Sequence, residues 1–348
     1  MLKFAQFPSE GNETLSTSDH RLDALRQWTC ACLHERELRF EPASEDASFR
    51  RYFRVRADDR TWIVMDAPPE QEDCRPFVKV ASLMRDAGLH VPQVLAEDLE
   101  RGFLLLSDLG TRTYLATLNE SNADRLFSDA LDALIRWQGA SRAGVLPPYD
   151  AALLRRELEL FPEWYIRRHL GLTLEAEQRA RLDTVFQRLI DSALAQPGVY
   201  VHRDYMPRNL MVSEPNPGVL DFQDAVFGPV AYDVVSLFRD AFVSWPEERV
   251  LDWTVRYWER ARKAGVPVDS DFASFYRSLE WMGLQRHLKV LGIFARICHR
   301  DGKPTYVEDT PRFCAYVREV AARYSELSPL ARFFDALEAR APRAAYTF

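Results

Sequence analysis

At 348 residues, with 47% hydrophobic and 28% charged side chains, the chain can bury a sizeable core and has the composition of a globular protein, not a disordered one. A formal net charge of −7 argues against a nucleic-acid partner, and the short, charge-interrupted apolar runs argue against membrane spanning or an export signal. Cys30, Cys32, Cys74, Cys298 and Cys314 lack redox or zinc spacing, which reads as reduced thiols in a cytoplasmic protein.

In chain order, residues 1–19 are rich in Ser, Thr, Gly and Pro and read as a flexible leader. A helix is expected over residues 20–38, capped by Ser18 or Asp19, with Leu22, Leu25, Trp28 and Leu33 on its apolar face. SFRRYFRV (48–55) and TWIVMDAP (61–68) read as paired strands joined by a tight turn at Ala57–Arg60. A helix over 76–87 ends at Gly88, and residues 91–95 and 102–110 supply further strands. Residues 20–107 therefore read as a small α+β lobe. From 108 to 348 the pattern turns helical, with helices over 120–141, 150–169 and 174–195 and again from about 230 onward. Short apolar runs at 199–201, 210–212 and 219–222 interrupt that lobe as a strand-and-loop insert.

The insert carries the chemistry. VHRDYMPRNLM (201–211) places an aspartate after His-Arg and an asparagine five residues later, and VLDFQD (219–224) adds an acid at the end of an apolar run. Phosphoryl transfer needs a metal to neutralise phosphate oxygens and a group to orient the acceptor hydroxyl. Asp204 is a candidate base or hydroxyl-orienting carboxylate, while Asn209 and Asp221 offer oxygens to a magnesium ion. Each residue alone is an ordinary loop polar group; together, at this spacing and beside apolar strands, they form a constellation.

His202-Arg203-Asp204, Asn209 and Leu220-Asp221-Phe222-Gln223-Asp224 resemble the protein-kinase-like fold, and within it the aminoglycoside phosphotransferase and small-molecule kinase family. The resemblance implies a bilobal α+β fold with a β-rich N-terminal lobe and a mainly helical C-terminal lobe. It implies ATP and Mg2+ as cofactors, Asp204 as the catalytic aspartate, Asn209 and Asp221 as metal ligands, and His202 and Asp224 as supports of the catalytic loop. Leu105–Gly110 resembles the inter-lobe hinge, with Leu106 and Ser107 meeting the nucleotide base. The chain departs from protein kinases proper: Gln223 stands where a DFG motif has glycine, and no A-P-E segment follows.

The small lobe departs further. The hairpin at Ser44–Ser48 has no glycine, leaving Ser48 and nearby backbone as the candidate phosphate contacts. Met65 or Asp66 occupies the place of the expected lysine, for which Arg50, Arg51, Arg54 and Lys79 are the candidate replacements. In the large lobe, Glu157–Tyr165 sets acids beside aromatics, and Arg286, Lys289, Arg296 and Arg300 recur at helical steps. That row is either a solvated basic face or a cleft wall for an anionic or hydroxyl-rich substrate.

With DASFRRYFRV (46–55) and MDAPPE (65–70), these blocks make the chain from about residue 20 resemble bacterial cell-wall amino-sugar kinases. Those enzymes phosphorylate the anomeric hydroxyl of N-acetylmuramate and N-acetylglucosamine in peptidoglycan recycling. The resemblance implies a small amino-sugar substrate, with Glu157, Trp164 and Arg286 as candidate contacts. The competing readings are an aminoglycoside or choline-like kinase and a nonenzymatic nucleotide-binding regulator.

Overall fold

Ahead of residue 108, apolar residues recurring at strand spacing build an antiparallel sheet. The computed structural model describes residues 15–44 and 49–340, so the proposed phosphate contact Ser48, with Glu45, Asp46 and Ala47, lies outside the described residues. Strands β1 (Arg39–Ser44), β2 (Arg51–Ala57), β3 (Arg60–Asp66), β4 (Val94–Asp98) and β5 (Phe103–Ser107) lie in the order β1-β2-β3-β5-β4. The β2–β3 pairing closes at Ala57 and Arg60, and Asp58 takes a left-handed φ of 48° to make that turn. Helix α1 spans Leu15–Leu33, beginning and ending earlier than the 20–38 expected. Its Leu25 and Trp28 pack on the sheet with Val55, Val64, Phe103 and Leu105, and the Trp28 and Phe103 rings lie 5.7 Å apart.

The chain divides into two compact units, one comprising residues up to Val78 with Pro92–Asp108, the other Lys79–Val91 with everything from Leu109 onward. The fold is therefore the anticipated bilobal α+β arrangement: a β-rich lobe and a helical one. Helix α2 (Arg75–Asp86) ends where Gly88 takes a φ of 79°.

In the larger unit come α3 (Tyr114–Thr117), α4 (Ala123–Gly139) and α5 (Ala151–Leu158). The single helix expected over 150–169 is two elements: α5 is followed by a π-helix over Phe161–His169. Pro162 explains the break, since it has no amide hydrogen to donate to the carbonyl four residues back. Then follow α6 (Ala176–Leu194), α7 (Tyr232–Phe238), α8 (Glu247–Lys263), α9 (Phe272–Asp301), α10 (Thr310–Arg323) and α11 (Ser328–Arg340).

Between α6 and α7 lies the insert, made of β6 (Gly198–Val201), β7 (Leu210–Met211), β8 (Gly218–Val219) and β9 (Val226–Pro229). β6 pairs with β9 and β7 with β8, so two short hairpin-like ladders frame the intervening polar loops.

Among the described residues no helix is long and apolar enough to cross a membrane.

Helix α9 runs through the middle of this unit and packs closely on the start of the π-helix. A β-carbon added at Gly292 would fall 2.4–2.6 Å from Leu160 atoms, two of them backbone, which cannot retreat as a side-chain tip can. Gly292→Ala should therefore destabilise the protein by about 1–3 kcal/mol through overpacking, read as a lower midpoint in urea or thermal unfolding.

Candidate active site

The site is built on the loop that leaves β6. Asp233, in the first turn of α7 and fully buried, accepts the backbone N–H of His202 at 2.6 Å and of Arg203 at 3.0 Å. Burial drives its carboxyl up to about 7 even though both N–H bonds favour the charged form. His202 is also fully buried, and loss of solvent lowers its imidazole to about 4, so it is neutral. Its Nε2 donates to the Leu220 carbonyl at 3.0 Å, and its Nδ1 accepts the Asp204 N–H at 3.2 Å. One ring thereby ties the loop carrying Asp204 to the strand end carrying Asp221.

Asn209 completes the connection. Its side-chain amide donates to the Asp204 carbonyl at 3.0 Å and to Asp221 Oδ2 at 3.3 Å. With N–H and C=O of Asp204 both engaged, the backbone around that carboxylate is fixed from two sides. Gln223 Nε2 donates to Asp221 Oδ1 at 2.8 Å, so the residue that replaces the kinase glycine helps hold the acid. Arg203 and Asp221 take left-handed φ values of 77° and 63°. Such non-glycine conformations cost about 1–3 kcal/mol each and persist only where surroundings over-determine them.

The structure thus brings Asp204, Asn209, Asp221 and His202 together. Asp224 is exposed, and its backbone carbonyl lies 3.4 Å from an Arg203 nitrogen; the carboxylate that holds the loop is that of Asp233. Sequence reasoning passed over Asp233, although a lone acid inside Val230-Ala231-Tyr232-Asp233-Val234-Val235 is the signal of a buried, bonded carboxylate.

Glu157 lies behind the loop, not on an open surface. Its Oε1 meets Arg203 at 2.6 Å and Lys289 at 2.9 Å; its Oε2 accepts from Gln285 at 3.1 Å and from the Tyr149 hydroxyl. Burial alone would raise this carboxyl, but Lys289 and Arg203 bring it down to about 2. The basic row on α9 is accordingly not one face: Arg286 and Lys289 are buried, Arg296 is half-buried, and exposed Arg300 pairs with Asp301. Trp164, on the π-helix, is half-buried with the Arg168 guanidinium 4.8 Å from its ring centre.

In the smaller unit, Leu106 is buried within β5, and Ser107 is closed into a reciprocal pair with Gln93: its N–H donates to the Gln93 carbonyl and its hydroxyl accepts the Gln93 N–H. Asp66, where a cation is expected, is a fully buried acid held by Arg21 at 2.7 Å and by a two-pronged contact from Arg51. Arg54 grips Asp108 at 2.7 and 3.0 Å and Arg50 lies 3.9 Å from Glu72, while in the larger unit Lys79 donates to the Val145 carbonyl at 2.6 Å. Each candidate replacement cation is thus already engaged.

Among the described residues no cluster of three or more His, Cys, Asp or Glu side chains gathers around a metal position. Mg2+ does not require one, since it takes one or two carboxylates and completes its shell with phosphate and water. With the Asn209 amide hydrogens committed, its carbonyl Oδ1 remains as a hard oxygen donor beside the Asp221 carboxylate, which fits that ion.

The phosphotransferase enzyme family profile matches residues 39–267. An N-acetylmuramate/N-acetylglucosamine kinase of Pseudomonas aeruginosa is 58% identical over 331 residues, covering 92% of this chain and 98% of that protein. A kinase of the same name from Pseudomonas putida is 60% identical over 299 residues, covering 86% and 88%. A solved choline kinase from Streptococcus pneumoniae superposes with a TM-score of 0.62 at 13% identity, covering 86% of this chain and 99% of that one. The chain belongs to the phosphotransferase enzyme family.

Glu157→Gln leaves two buried cations without their carboxylate and should cost about 3–5 kcal/mol near neutral pH. A carboxyl lowered from 4.5 to about 2 stabilises the fold above about 4.5 and loses that contribution as pH falls toward 2. The stability gap between wild type and variant should therefore be widest at pH 7 and shrink at pH 3, as measured by denaturant unfolding.

Proposed function

We propose that this phosphotransferase moves the γ-phosphoryl group of ATP onto the anomeric hydroxyl of N-acetylmuramate, N-acetylglucosamine or both, as a step of peptidoglycan recycling. Residues 20–107 handle the nucleotide, with Leu106 and Ser107 at the base, and residues 108–348 hold the catalytic groups and the sugar. The observation that supports the chemistry is the Asn209 amide, bonded at once to the Asp204 backbone and the Asp221 carboxylate. The acceptor is supported by the two Pseudomonas relatives, whose names specify these sugars over nearly their whole lengths. Likeness to the choline kinase, at 13% identity, extends to the fold alone.

In this reading Asp204 accepts a hydrogen bond from the anomeric hydroxyl and takes its proton as that oxygen bonds to the γ-phosphorus. The bond from phosphorus to the bridging oxygen breaks, and ADP leaves with the electron pair. Asn209 Oδ1 and Asp221 would hold Mg2+, which would neutralise charge on the phosphate oxygens. His202 and Asp233 keep the loop in place so that Asp204 is already aimed before substrate arrives.

Offered a panel of amino sugars, aminoglycosides and choline, purified protein with ATP and Mg2+ should yield the 1-phosphate of N-acetylmuramate, N-acetylglucosamine or both. Absence of an anomeric phosphate on both N-acetyl sugars rejects the acceptor, and turnover of choline or an aminoglycoside would put the rival reading in its place. Asp204→Asn should lower kcat about 10²–10⁴-fold with nucleotide affinity largely retained. Asp221→Asn should instead raise the KM for the magnesium–nucleotide complex. Near-wild-type turnover in both variants sinks the assigned roles.

A further inference from the structure

Helix α9 sends Gln285, Arg286 and Lys289 inward. Two of the three end on Glu157; the third does not. Arg286 is 2% exposed, and one terminal nitrogen reaches only the thioether of Met206 at 3.8 Å. Its Nε and Nη1 have no hydrogen-bond acceptor among the described residues. An arginine cannot shed its charge to escape this situation, so buried donors of this kind are a demand for an acceptor.

The complementary demand sits on the segment after α7. Asp240 is fully buried, and its Oδ2 accepts the N–H groups of Phe242 at 2.9 Å and Val243 at 3.3 Å. Its Oδ1 has no partner among the described residues. Burial raises the carboxyls of Asp240 and Asp233 and the positive charge of Arg286 opposes that rise, yet among the described residues no ion pair joins Arg286 to Asp240. Met206, which Arg286 touches, is two residues from Asp204, and the Arg208 guanidinium lies 5.2 Å from the ring centre of Phe242. Unmet donors, an unmet acceptor and an aromatic ring thus stand beside the reactive loop.

We propose that Arg286 and Asp240 are the acceptor-recognition pair: Arg286 Nε and Nη1 donate to an oxygen on the sugar, and Asp240 Oδ1 accepts from a neighbouring hydroxyl. The proposal rests on the sugar-kinase reading and refines it. A cationic acceptor would be repelled by Arg286 and a carboxylate by Asp240, whereas a neutral polyol satisfies both. The contacts therefore fall on groups that N-acetylmuramate and N-acetylglucosamine share, not on the carboxylate that distinguishes them. These are specificity-determining residues, since neither touches the transferred phosphoryl group.

Steady-state kinetics of Arg286→Lys and Asp240→Asn with each sugar and with ATP test the pair, alongside thermal unfolding. Sugar KM should rise at least tenfold, in parallel for both sugars, with the KM for ATP within twofold of wild type. If sugar KM stays within twofold, or only kcat and melting temperature fall, the pair is structural and the proposal is overturned while the sugar-kinase reading stands. A rise confined to N-acetylmuramate also overturns it, because it assigns Arg286 to the carboxylate. Failure of the wild-type protein to phosphorylate either sugar removes the kinase reading and this proposal with it. Should Asp240→Asn not fold, Arg286→Lys decides alone, since it keeps the charge and the buried stem and removes the guanidinium fork.

Discussion

Asp233 accepts the N–H groups of His202 and Arg203 on its two oxygens, and that pair of bonds sets the path of the loop on which Asp204 and Asn209 stand. Both donors are backbone groups that would otherwise lie buried and unpaired, a condition proteins rarely tolerate. Because the carboxylate comes from the first turn of α7, helix and loop cannot shift independently. The neutral imidazole of His202 carries the constraint onward to Leu220, and so to Asp221. A chain of short bonds from one buried acid therefore fixes the geometry that the reaction needs.

Glu157 solves a second problem. Arg203 is held in a left-handed conformation, and its charged head has to go somewhere inside the protein. Pairing it with Glu157 brings in Lys289 from α9 and Tyr149 from the segment before α5, so one carboxylate is answered from several elements. Replacing such a network by apolar groups often costs little, whereas removing one member strands the rest. Its value here is positional: α5, α9 and the reactive loop share one point of contact. The close approach of α9 at Gly292 serves the same end by packing that helix against the chain just past α5.

The motif residues were legible in the sequence because their chemistry forces a spacing. Asp204 and Asn209 need one tight loop between them, and Asp221 must end a strand. The sheet was equally legible from Arg51–Asp66, where apolar runs flank a two-residue turn. What the sequence hid depends on contacts between distant segments. Glu157 and Arg203 are 46 residues apart, and nothing local distinguishes a buried Glu157 from a solvent-facing one. Arg286 and Lys289 read as one basic stripe because periodicity gives a direction, not what lies in that direction. The split of 150–169 was visible in Pro162, but only the structure shows that the chain resumes as a π-helix instead of ending.

The missing small-lobe lysine belongs to the same logic of paired charge. Asp66, beside Met65 in the stretch where a cation is expected, is a buried acid on which Arg21 and Arg51 converge. Arg51 on β2 is thereby tied to the end of β3, and Arg21 ties α1 to the same point. In the larger unit Arg203 and Lys289 are likewise set against the buried carboxylate of Glu157. The hydrogen-bonding atoms left unanswered at Arg286 and Asp240, donors on one and an acceptor on the other, suit a ligand that both accepts and donates, and that is the chemistry of a sugar hydroxyl array.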